Sequence, residues 1–127
     1  MEIECFPFAF SICKVEAFPA DILDKPFCFA ASAQEERSLV CQTRYLPENL
    51  LAREDGWRML RIGGTLDFSL IGVLAKITAL LAENGIGIFA VSTYNTDYLW
   101  TKAENFEKAQ AVLAAAGYAV LQREENP

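Results

Sequence analysis

Asp67, Ser69 and Asp97 are the side chains whose types and surroundings suit chemistry on a small molecule. Asp67 and Ser69 stand in G-G-T-L-D-F-S-L-I-G, just ahead of an apolar run, where Asp and Ser commonly cap a helix. The free backbone N–H groups of a helix starting there belong to residues near Leu70, Ile71 and Gly72, and they suit a small anion such as a carboxylate. Asp67, Asp97 and the backbone carbonyls near Ser92 supply acceptors for an ammonium or a basic side chain. Donors for a carboxylate beside acceptors for an ammonium are the minimum that a free amino acid requires. The plainer alternative has Asp67 and Ser69 as ordinary caps, Asp97 as a residue opening a strand after a turn, and Ser92 and Thr93 as strand packing.

Other chemistries lack their residues. The chain contains no histidine, and no serine stands in a G-x-S-x-G elbow. Gly63, Gly64 and Gly72 match neither kind of phosphate loop. No catalytic residue, metal ligand set or cofactor is therefore expected. The remaining enzymatic reading is a weak hydrolase using Asp67 and Asp97. Cys5, Cys13, Cys28 and Cys41 are scattered among apolar residues without C-x-x-C spacing, and read as reduced thiols in the core. With 11 basic against 17 acidic residues and a net charge of -6, the chain is a poor match for a phosphate backbone, so no nucleic-acid partner is expected. No apolar run reaches the length of a membrane span and the start M-E-I-E lacks a basic leader, so the expectation is a soluble cytoplasmic protein with no membrane partner.

The elements that must position these residues follow from periodicity. In the first half, strands are expected over Phe8 to Val15, Phe27 to Ser32 and Arg37 to Arg44. A single turn is expected near Ala20 to Leu23, and a short helix around Leu46 to Leu51. Ala52 to Gly56 reads as a linker and places a boundary, giving residues 1–55 and 56–127. Beyond it the pattern predicts a strand over Trp57 to Ile62, a helix over Ser69 to Asn84, strands over Ile86 to Thr93 and Asp97 to Lys102, a helix over Phe106 to Ala116 capped by Asn105, and a last strand over Tyr118 to Leu121. The order is βαββαβ, a ferredoxin-like α+β arrangement. The first half reads as a degenerate copy without its first helix, packed beside it. Apolar residues cover most of the girth of the helix over Ser69 to Asn84, which predicts a homodimer.

The runs L-D-F-S-L-I-G-V-L-A and E-N-G-I-G-I-F-A-V-S-T-Y-N-T-D-Y resemble the ACT domain, the small-molecule regulatory module of aspartate kinases. The likeness is greatest to the stand-alone tandem-ACT branch that includes the cytosolic arginine sensors called CASTOR. It implies a ligand held between the first loop and helix start of one copy and the second-strand region of a neighbour. The matching positions are Asp67, Phe68, Ser69, Leu70 and Ile71 on one side, and Phe89, Val91, Ser92, Thr93, Tyr94, Thr96 and Asp97 on the other. The expected function is a non-catalytic amino-acid-binding regulatory module, with a structural interaction module carrying a vestigial pocket as the alternative.

Overall fold

Alternation of side chains across a pleat starts earlier than Phe8. The computed structural model, which describes residues 1–63 and 72–124, has β1 over Glu2–Val15, running through Pro7. Pro7 falls between the stretch Glu2 to Cys5, paired with the last strand, and the stretch Phe10 to Val15, paired with β3. A missing N–H there removes no ladder bond on that side. A 3-10 turn over Ile22–Asp24 leads to β2 (Phe29–Ser32) and β3 (Arg37–Gln42), and a second 3-10 turn over Thr43–Tyr45 precedes β4 (Leu50–Ile62). Then come α1 (Val73–Glu83), β5 (Ile88–Ser92), β6 (Asp97–Lys102), a 3-10 turn over Ala103–Asn105, α2 (Phe106–Ala115) and β7 (Ala119–Gln122).

From β4 onward the order is βαββαβ, and the chain is α+β with a ferredoxin-like second half and a degenerate first half. Two local expectations are corrected. The stretch read as a short helix from Leu46 and a linker at 52–56 is mostly the first half of β4. Pairing overrides composition here: Ser11 Oγ donates to Asp55 Oδ1 at 2.6 Å and ties the polar stretch to β1. Among the described residues the first long helix begins at Val73, after an N-cap Gly72 with φ 80, outside the helical region, while its expected start at Ser69 lies outside the described residues. Asn105 is the N-cap residue of α2 as expected, but it makes no side-chain cap bond, and the preceding 3-10 turn feeds α2 directly.

The chain forms two compact units, one of residues 1–7 with 58–127 and the other of residues 8–57. In the first the strand order is β7-β1-β4-β6-β5. Ile3, Cys5, Leu60, Ile62 and Leu99 share a core with Ile77 and Leu81 of α1 and Phe106, Ala109 and Leu113 of α2. These are the i, i+2 positions of the strands and the i, i+3 and i, i+4 positions of the helices. The girth of α1 is less apolar than its sequence reads: Ile77 and Leu81 are buried, Val73, Leu74 and Leu80 pack partly on the core, and the exposed positions are Ala75, Lys76, Ala79, Ala82 and Glu83. In the second unit the order is β2-β3-β1-β4. Cys13, Val15, Ile22 and Leu39 form its small core, joined by Phe18, Cys28, Leu46 and Leu50.

Glu4 lies on the first unit's sheet, on the face away from α1 and α2, and is only 5% exposed. Arg61 Nε donates to Oε2 at 2.6 Å, while Arg123 donates to Oε1 through Nε at 2.8 Å and Nη2 at 2.5 Å. The bond from Arg61 holds the Glu4 carboxyl below its ordinary value, against the opposing effect of burial, with Arg123 adding to it. A lowered folded pKa contributes stability that is present above the unfolded value and is lost as pH falls through the folded value. Glu4→Gln is therefore expected to cost about 1–2 kcal/mol at pH 7, less than a sealed pair because Arg123 is 45% exposed. The variant should also lose less stability than the parent on acidification below the unfolded value of 4.5. Urea denaturation at neutral and acid pH checks both, and an equal loss in the two proteins would contradict the assignment.

Candidate functional site

The turn between β5 and β6 is built by two threonines. Thr93 N donates to the Thr96 carbonyl at 2.8 Å, and Thr93 Oγ1 donates to the same oxygen at 3.0 Å. Thr96 is buried, and its Oγ1 donates to the carbonyl of Ile62, the last residue of β4, at 2.7 Å. The turn is thus fastened to the end of β4 by a side chain inside a stretch that reads as an ordinary loop. Gly63 follows at once, so the connection toward α1 leaves from beside Thr96. A Cβ at Gly63 would come within 3.0 Å of Glu2 Cβ and 3.2 Å of the Glu2 carbonyl oxygen, and Gly63 N donates to that same oxygen at 2.8 Å. The glycine permits β1 and β4 to approach this closely.

The helix start offers donors. Lys76 N is bonded to the Gly72 carbonyl at 2.9 Å, the first bond of the helix ladder among the described residues, and the N–H groups of Val73, Leu74 and Ala75 stand ahead of it in the first turn. Their partial positive charge favours an anion. The described part of the helix start thus places donors at 73–75. Asp67, Phe68, Ser69, Leu70 and Ile71 lie outside the described residues.

The strand-side residues divide between two faces. The register pairs Ser92 with Asp97, and Ser92 Oγ donates to Asp97 Oδ1. By pleat alternation these two share the face of Leu99, the face toward α1 and α2. Phe89 and Val91 point the other way: Phe89 stacks on Trp100 at 4.9 Å between centroids, and Val91 pairs with Tyr98. On that face Tyr98 also meets Trp100 at 6.3 Å, and the Arg61 guanidinium lies 6.0 Å from the Tyr98 ring. Tyr94, at the tip of the turn, is 85% exposed. Ser92, Asp97, Thr93 and Thr96 are brought together, while Phe89 and Val91 belong to an aromatic layer behind them. In the other unit an open groove of about 600 Å³ is lined by Phe18, Pro19, Pro47 and Leu50, with Glu16 and Glu48 among its walls.

Among the described residues no group of acids and cysteines is arranged to hold a metal ion. No helix among them is long and apolar enough to cross a membrane.

The family model of the ACT domain matches residues 52–115, which span β4 through α2. The chain belongs to the ACT domain family. A crystal structure of a protein from Agobacterium tumefaciens is similar over 99% of this chain and 96% of its own, with 27% identity and a TM-score of 0.88. A Vibrio cholerae protein described as a possible transport protein aligns with 90% of this chain and 88% of its own at 18% identity and a TM-score of 0.71. The regulatory subunit of aspartate kinase from Thermus thermophilus, in ligand-free form, shares 12% identity and a TM-score of 0.62 over 92% of this chain and 97% of its own. No curated protein matches the sequence. The last two likenesses concern the fold, and the fold they share is that of aspartate kinase regulatory ACT domains.

Thr96 was legible in the ACT pattern, but its bond to Ile62 was not, since nothing local in Y-N-T-D identifies a partner 34 residues away. Thr96→Val keeps the branched shape and removes the hydroxyl. It is expected to cost about 1–2 kcal/mol, the cost of leaving the Ile62 carbonyl with one bond fewer. Chemical denaturation checks this, and an unchanged midpoint would show that the bond does not fasten the turn.

Proposed function

We propose that this ACT protein is a non-catalytic regulatory module that binds a free amino acid. Family membership carries the reading, and the adjacency of the Ser92–Asp97 pair, the Thr93–Thr96 turn and the end of β4 supports it. In this proposal the N–H groups of the connection and helix start, with Asp67, Phe68, Ser69, Leu70 and Ile71, receive the carboxylate. Ser92, Thr93, Tyr94, Thr96 and Asp97 receive the ammonium and side chain. Phe89 and Val91 face away from that pocket and meet ligand only where a neighbouring copy uses that face. The division into a degenerate ACT-like 1–55 and an ACT domain 56–127 belongs to the same proposal, with residues 1–7 lent to the ACT unit. So do a cytoplasmic location, the absence of a nucleic-acid partner and a homodimer.

The test is a thermal and calorimetric titration against the twenty amino acids. A ligand at a hundred times its Kd stabilises the fold by roughly 2.7 kcal/mol. Asp97→Asn keeps the shape and removes the charge, and is expected to weaken a cationic amino acid by about 1.5–3 kcal/mol. Glu48→Gln, in the groove of the other unit, should leave it unchanged. The reverse result would move the site to the groove. No stabilisation by any amino acid would leave the structural interaction module as the better reading.

Assembly is tested separately. Sedimentation at micromolar concentration is expected to give twice the chain mass of 14.1 kDa, and a clean species at the single-chain mass would exclude the homodimer.

A further inference from the structure

Cys28 and Cys41 occupy facing positions on the β2–β3 hairpin. The ladder pairs Phe29 with Val40, so the next step outward sets Cys28 opposite Cys41. Ala33 N donates to the Glu36 carbonyl at 2.8 Å, which makes that pair a hydrogen-bonded one. Counting back with alternation, Phe29 and Val40 are hydrogen-bonded and Cys28 and Cys41 are not. Non-bonded pairs are the close ones, with Cα atoms about 4.5 Å apart, inside the range that a disulfide spans. Beyond Cys28 the chain stays against β3, because Gln42 Nε2 donates to the Pro26 carbonyl at 3.2 Å. Cys41 is buried and Cys28 is half-buried, so Cys28 is the more accessible of the two.

We propose that Cys28 and Cys41 form a redox site, in which hydrogen peroxide converts the facing thiols into a cross-strand disulfide. The Cys28 thiolate attacks one peroxide oxygen, the O–O bond breaks, and with one proton taken up the products are a Cys28 sulfenic acid and water. The Cys41 sulfur then attacks the Cys28 sulfur; the S–O bond breaks, and the hydroxide leaves with the Cys41 proton as a second water. Two thiols lose two electrons and one peroxide gains them. The hydrogen bond from Cys41 lowers the pKa of Cys28, which favours the attacking thiolate, while Cys41 is held protonated by that bond and by burial. Cys13 shares the sheet face but pairs with Leu39, a diagonal step from Cys41. Diagonal neighbours lie about 7–8 Å apart, too far for a disulfide without backbone movement. Cys5 belongs to the core of the other unit.

The full chain is treated with hydrogen peroxide, alkylated in denaturant and digested for mass spectrometry. The expected result is a Cys28–Cys41 linked peptide lighter by two hydrogens, two of the four thiols lost, and full recovery with dithiothreitol. In Cys41→Ser, a sulfenic-acid trap should label Cys28, and in Cys28→Ser no linked peptide should form. Four alkylatable thiols after treatment, a link to Cys13, or trapping at another cysteine would each overturn the proposal.

Discussion

A carboxylate with 5% exposure has to be answered by charge, and the two arginines that answer Glu4 decide where the first strand lies. Arg61 comes from β4, and Arg123 follows β7 directly. Only a strand between β4 and β7 can present one carboxylate to both. In a bare βαββαβ unit the last strand would border the first. Here residues 2–5 take that place, parallel to β7, with Ile3 and Cys5 filling the core on the other face. The ACT unit of this chain is therefore completed by a segment that precedes it by some fifty residues.

That insertion fixes the edge at which β4 ends. Gly63 rests against Glu2, Thr96 hangs on Ile62, and Ser92 and Asp97 close the turn above them. Each bond joins the next, so the acceptor side of the proposed pocket is set before a ligand arrives. Preorganisation of this kind reduces the ordering that binding must oppose. The Phe89–Trp100 stack behind it stiffens the same two strands from the opposite face.

What the sequence disclosed was local. Alternation in W-R-M-L-R-I, the i, i+4 spacing of Ile77 and Leu81, and Gly85 and Gly117 as stops were enough for the order from β4 to β7. The early part of β1 escaped because Pro7 reads as a strand limit until its pairing gap between β7 and β3 is known. Ala52 to Gly56 resembled a linker because its residues are polar and small, yet strand partners outweigh composition. Gly72 was not legible as a helix cap, because Asp67 and Ser69 satisfy the capping rule better in sequence and a positive φ is a property of the backbone alone. Candidate residues were found by family pattern. Their division into a Ser92–Asp97 face and a Phe89–Val91 face follows from register, which no single strand discloses.

The two units differ in how much they can bury. The ACT unit packs two helices on its sheet, whereas the unit of residues 8–57 has only 3-10 turns and a core of Cys13, Val15, Ile22 and Leu39 with a few half-buried neighbours. Apolar burial is the main favourable term, so the second unit opens at lower free energy. Its strain is local as well: Phe27 has φ 57, which a bulky residue rarely adopts, immediately before Cys28. Cys28 thus follows a strained residue and packs only partly on that small core. Cys28 and its strained neighbour lie in the weakly packed unit, while the proposed amino-acid pocket draws its acceptors from the well packed one, where Thr96 and the Ser92–Asp97 pair are already held.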